Sequence, residues 1–167
     1  MSKQSLLSLL AVALLLTGTV VAEDKPDFSG DWVLDREATD LAGSNLFLAK
    51  IIIVQTGDSL LTVRTYENRD GEQYPFNEKL TLDGKEYKII IYDMPRTTAA
   101  MWSEEGIELL INSSVVYWTD NGEEQMDIAE VFMLEDKGAR LKIDSSSKTP
   151  SNEYKALHIY KKIEKEQ

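Results

Sequence analysis

Residues 107–134 read IELLINSSVVYWTDNGEEQMDIAEVFML, and their pattern decides the fold. Before the Asn121-Gly122 pair, Ile107, Leu109, Ile111, Ser113, Val115 and Tyr117 recur at every second position. After it, Met126, Ile128, Glu130, Phe132 and Leu134 do the same. A period of two belongs to a strand, whose side chains alternate between faces. Asn-Gly is a strong hairpin signal, because both central residues of a type I′ turn need positive φ. The stretch therefore predicts two antiparallel strands, Ile107–Trp118 and Glu123–Leu134.

Working outward, the same punctuation recurs at Gly57-Asp58, Asp70-Gly71, Asp83-Gly84, Met94-Pro95, Glu105-Gly106, Lys137-Gly138 and Thr149-Pro150. Between these markers lie further runs rich in β-branched and aromatic residues. Ahead of the central hairpin they are Ser29–Asp35, Leu46–Thr56, Ser59–Asn68, Phe76–Leu82, Lys85–Asp93 and Arg96–Glu104. Behind it come Ala139–Ser147 and Glu153–Lys162. Leu61, Val63 and Thr65 share one face of their run, and Tyr87, Ile89 and Ile91 form an interior stripe on theirs. The prolines stand at segment ends or turns, where no ladder donor is missed. Only Arg36–Ser44 has the makings of a helical turn. The expectation is an all-β, antiparallel up-and-down meander. Closing it into a barrel hides both edges, and about eight to ten strands leave room for one small ligand. An open two-sheet sandwich is the alternative.

Composition excludes several functions. The 167 residues carry a formal charge of −11, which repels phosphate backbones and anionic lipid surfaces, so no nucleic-acid partner is expected. Without cysteine there is no disulfide, thiolate nucleophile or zinc ribbon. Residues 1–22 read as a signal peptide. Lys3 precedes an apolar run from Leu6 to Leu16, and Val20 and Ala22 stand three and one residues before the expected cut. That run falls short of the ~20 residues that span a bilayer, so no stable membrane anchor is expected. The remaining residues, 23–167, form one domain, periplasmic or secreted.

Asp27-Phe28-Ser29-Gly30-Asp31-Trp32-Val33-Leu34-Asp35 resembles the start of a lipocalin-like protein. The calycin superfamily opens its first strand with Gly-x-Trp, here Gly30-Asp31-Trp32. The longer form resembles small exported lipocalin-like proteins of bacteria. Leu82-Asp83-Gly84-Lys85, Ala100-Met101-Trp102 and His158-Ile159-Tyr160-Lys161-Lys162 extend the resemblance along the chain. It implies a lipocalin-like barrel that binds small, mostly apolar molecules. In such a barrel Trp32 plugs the closed end, and Gly30 lets the chain turn across the floor. Lipocalins stack a basic side chain of the last strand over this Trp; Lys161 and Lys162 are the candidates here, in place of the usual Arg.

The chain is poor in catalytic signals. It has no Gly-x-Ser-x-Gly elbow, phosphate-binding glycine loop or His-Glu-x-x-His, and His158 is its only histidine. Neither enzymatic activity nor a metal or other cofactor is expected. Two carboxylates nevertheless sit on apolar strand faces. Glu130 accompanies Ile128 and Phe132, and Glu78 accompanies Phe76 and Leu80. A buried carboxylate needs a partner, and Arg64 and Arg96 are the candidates. Such pairs anchor the polar head of a ligand, serve structure alone, or lie at the surface if the register slips by one. Tyr87, Trp102, Tyr117 and Trp118 are the aromatic candidates for ligand contact. Small inward residues such as Ser113, Ala99 and Thr97 would leave the interior hollow. The expected function is binding or carriage of a small hydrophobic molecule. The alternative is an interaction or inhibitor protein with a filled barrel, whose loops bind a protein partner.

Overall fold

A computed structural model describes residues 25–41, 44–120 and 122–164. The predicted leader, 1–22, lies outside the described residues. Ten strands follow one another: β1 (Gly30–Leu34), β2 (Leu46–Thr56), β3 (Ser59–Asn68), β4 (Gln73–Thr81) and β5 (Tyr87–Ile91) in the first half. The second half holds β6 (Met94–Trp102), β7 (Leu109–Thr119), β8 (Gly122–Glu135), β9 (Arg140–Lys148) and β10 (Glu153–Lys162). They form a single antiparallel sheet in the order β4-β3-β2-β1-β10-β9-β8-β7-β6-β5. Because β1 pairs with both β2 and β10, the beginning and end of the domain are joined. The sheet curls into a nearly closed barrel; the sandwich alternative is excluded.

The seam falls between β4 and β5, consecutive strands that share no ladder. Side chains and isolated contacts span it instead. At one end Asp83 bridges Met101, and the Gly84 amide donates to the Ala100 carbonyl at 2.9 Å. Midway, Thr81 Oγ1 and the Tyr87 hydroxyl lie 2.9 Å apart. At the other end the Tyr92 hydroxyl donates to the Pro75 carbonyl at 2.8 Å. Free sheet edges invite pairing with other chains. Pro75 lacks a donor on one edge, while the exposed Lys79 and Lys88 discourage approach to both.

Three details correct the sequence reading. The turn expected at Met94-Pro95 is made by Tyr92 and Asp93, with φ of 48° and 66°, although neither is glycine. No helix forms in the described part of Arg36–Ser44; residues 36–38 only turn, with the Asp35 carboxylate accepting the Glu37 and Ala38 amides. Gly30 does not turn the chain. It begins β1, paired with Ile53, and its missing Cβ leaves room for the Lys162 side chain, whose Cε would lie 2.6 Å from that carbon.

The core occupies one end of the barrel. Trp32 is fully buried there, and its indole N–H donates to the Phe28 carbonyl at 3.0 Å. Lys162 lies over the ring, 5.2 Å from its centroid, while Lys161 pairs with Asp35 at 2.9 Å. Leu60, Leu80, Leu109 and Phe132 are buried around Trp32. A register shift between Leu48 and Lys50 buries Phe47, Leu48 and Ala49 in succession and restores inward alternation at Ile51 and Ile53.

Candidate functional site

The interior changes character along the barrel axis. Above the apolar core lies a layer of four charged side chains: Arg64 on β3, Glu78 on β4, Arg96 on β6 and Glu130 on β8. Their exposures are 0%, 3%, 4% and 6%. Each sits on the inward face of its strand by simple alternation, Glu78 between Phe76 and Leu80, Glu130 between Ile128 and Phe132. Arg64 Nη1 donates to Glu130 Oε1 at 2.8 Å, and Arg64 Nε lies 3.8 Å from Glu78 Oε2. Arg96 Nε donates to Glu78 Oε1 at 2.8 Å. Thr98 and Ser113 complete the layer, Thr98 donating to Glu78 at 2.6 Å and Ser113 accepting from Arg96 Nη2 at 2.7 Å.

The pairs explain how charge survives burial. Desolvation pushes the Glu78 carboxyl up, but Arg64, Arg96 and the hydrogen bonds from Arg96 and Thr98 outweigh it and hold the group below its usual range. Desolvation likewise weakens the charge on Arg64, and the Glu130 carboxylate more than restores it. Satisfaction is incomplete: Arg64 Nε and Nη2, Glu130 Oε2 and Thr62 Oγ1 are buried without a hydrogen-bond partner among the described residues.

Above this layer the barrel is hollow. A cavity of about 700 Å³ opens at the end formed by the β3–β4, β5–β6 and β7–β8 turns. Aromatic side chains form much of its wall. Tyr66 and Phe76 stack with centroids 5.9 Å apart, and Tyr74 meets the edge of Tyr92 at 6.1 Å. Ile91, Met94, Val115, Met126 and Ile128 supply aliphatic surface, and among the described residues Arg96 is the one charged side chain that lines it. At the rim, the hydroxyls of Tyr117 and Tyr74 donate to Glu124 and Glu72. The volume is ordinary for a small-molecule site, and so is an apolar wall with few polar groups.

The predicted residues divide among these regions. Arg96 and Tyr117 line the cavity. Arg64, Glu78 and Glu130 are brought together beneath it. Tyr87 lies at the seam beside Thr81, away from the cavity wall. Trp102 belongs to the closed end, 6.0 Å from Phe28 between ring centroids. Ser113 faces inward, whereas Thr97 and Ala99 face outward, since Arg96, Thr98 and Ala100 occupy the inner face of β6. The stripe of Leu61, Val63 and Thr65 also points out, because β3 turns Leu60, Thr62 and Arg64 inward. Tyr66, Tyr74, Phe76 and Tyr92 were missed as wall residues. Their signal was an aromatic residue flanking each turn of the open end. The filled barrel of the alternative reading holds only for the closed half. Among the described residues no group of three or more His, Asp or Glu can hold a metal ion.

Acid should destabilise the fold in two stages. Burial lowers the His158 pKa from 6.5, against an opposing pull from Glu130, and Glu78 lies below 4.5. Both groups bind protons better when unfolded, so each contribution is complete above the unfolded value and is lost as pH falls. The thermal midpoint should begin to decline near 6.5, through His158, and fall further below 4.5, through Glu78. His158→Gln should remove the first stage only. A flat midpoint between these values in the wild type would contradict the neutral, half-buried state of His158.

No protein-family model matches the sequence, and no curated protein does. Among solved structures, the chain is similar to zebrafish ileal bile acid-binding protein complexed with cholic acid. The two share 14% identity over 81% of this chain and 98% of that one, with a TM-score of 0.41.

Proposed function

We propose that this protein is an exported, non-catalytic, lipocalin-like carrier that takes a small, largely apolar molecule into the open half of its barrel. The cavity carries this reading: an apolar, aromatic wall at one end, with a single guanidinium at its floor. A barrel built only for stability would continue its core to both ends, because unfilled apolar space forfeits packing contacts. The charged layer supports the same view, since it ends the core with polar groups facing the cavity floor. Export to the periplasm or exterior rests on the leader at residues 1–22, and the lipocalin-like assignment on Gly30-Asp31-Trp32.

Native mass spectrometry of the protein purified from its own host tests the reading. A reproducible small-molecule adduct, lost on denaturation, is expected. Met126→Trp places a large ring in the cavity wall and should reduce uptake about ten-fold or more, with little effect on the core below. A bare mass from repeated preparations, with no uptake from a lipid extract, would sink the proposal.

A further inference from the structure

We infer that the polar end of the ligand is an uncharged hydrogen-bond acceptor, such as a hydroxyl, ketone or ester. We further infer that Glu78 sets this preference against a carboxylate. Both statements rest on the ligand site proposed above and specify its chemistry. A head group reaching the floor of the cavity meets Arg96, which is 4% exposed. Arg96 Nε is committed to Glu78 Oε1 and Thr98 Oγ1, and Nη2 to Ser113 Oγ and Glu78 Oε2. Nη1 makes no hydrogen bond among the described residues. Donor hydrogens left unpaired in apolar surroundings favour a ligand that brings a lone pair.

Charge decides which acceptor fits. Arg64 and Arg96 are already opposed by Glu78 and Glu130, through contacts of 3.8, 2.8 and 2.8 Å. Two positive and two negative groups make the layer neutral. A carboxylate arriving at Nη1 would be a fifth charge with no counter-ion of its own. It would approach a guanidinium already held by Glu78, inside a chain whose formal charge is −11. Its attraction to Arg96 is opposed by Glu78, while the cost of stripping its water remains. A hydroxyl or carbonyl oxygen accepts the same N–H without that cost. An ammonium head has no lone pair to offer and meets a cation of like sign.

The test uses an equimolar mixture of 1-dodecanol, methyl dodecanoate and dodecanoate, distinguishable by mass, in native mass spectrometry at mildly alkaline pH. The alcohol and ester should bind about ten-fold or more tightly than the carboxylate. Glu78→Gln keeps the shape and one acceptor oxygen for Arg96 but leaves the layer with a net positive charge. Dodecanoate should then gain about ten-fold and overtake the neutral ligands. Glu130→Gln makes the same charge change and replaces Glu78→Gln if that variant does not fold. Equal binding of all three ligands by the wild type, or tighter binding of dodecanoate, would overturn the inference while leaving the carrier reading intact. An unchanged order in Glu78→Gln would remove Glu78 as the selector, and an unchanged order in Glu130→Gln would remove the charge balance of the layer as the source of the preference. Uptake of none of the three would overturn the carrier reading and the inference with it.

Discussion

Glu130→Ala is expected to lower folding stability by about 3–5 kcal/mol, measured by urea unfolding, because it strands a buried cation. Arg64 is fully buried, and its 2.8 Å hydrogen bond to Glu130 is the only one it makes to a carboxylate among the described residues. Its Nε and Nη2 already lack hydrogen-bond partners among the described residues. Once Glu130 is gone, Glu78 at 3.8 Å is the one carboxylate left beside the guanidinium among the described residues, and Glu78 is also engaged by Arg96. The pair itself need not stabilise the fold, since desolvation of two ions offsets most of their attraction. Arg64→Met combined with Glu130→Leu should therefore recover most of the loss, and the two single variants with the double form a cycle that isolates the coupling. A cost below about 1 kcal/mol for Glu130→Ala would mean that Arg64 finds water or another acceptor, and would refute the burial of the charged layer.

Trp32→Ala should cost a similar amount, about 3–5 kcal/mol, through a different mechanism. The indole is fully buried at the closed end, so its removal leaves a cavity walled by Phe28 and the neighbouring aliphatic core. The Phe28 carbonyl loses its 3.0 Å donor, and the Lys162 ammonium loses the ring beneath it. Trp32→Phe keeps part of the volume and should cost less. Trp118→Ala makes a useful contrast, because that ring is 72% exposed and its loss should change stability by no more than about 0.5 kcal/mol. If Trp32→Ala and Trp118→Ala unfold at the same urea concentration, the closed-end plug is refuted.

The comparison of the two tryptophans marks a limit of sequence reading. Trp32 follows a motif that resembles the opening of calycin barrels, so its burial was foreseeable. Trp118 stands one residue beyond Tyr117 and so on the opposite face of β7, where it is exposed near the hairpin tip and takes no part in the cavity wall. Similarly, glycine-containing turns were legible because only a few residues tolerate positive φ. The Tyr92–Asp93 turn was not, because there tertiary contact holds two unfavourable residues in place: Tyr92 is tied to Pro75 across the seam.

By itself, the sequence determined the local, periodic features. They are the order of the strand runs, the antiparallel meander, and the placing of Glu78 and Glu130 on one strand face with apolar neighbours, though which face is the inner one was left to the structure. Alternation of faces depends on adjacent residues, so it can be read without knowing the partner strand. Tertiary structure alone decided which charges meet, since Arg64 and Glu130 are 66 residues apart and join only when the barrel closes. It also decided where β2 shifts its register, how the β4–β5 seam is spanned, and that one half of the barrel is solid while the other is hollow. Those features depend on the curvature of the closed sheet and on side-chain volumes summed across several strands, and no single segment of the chain encodes either.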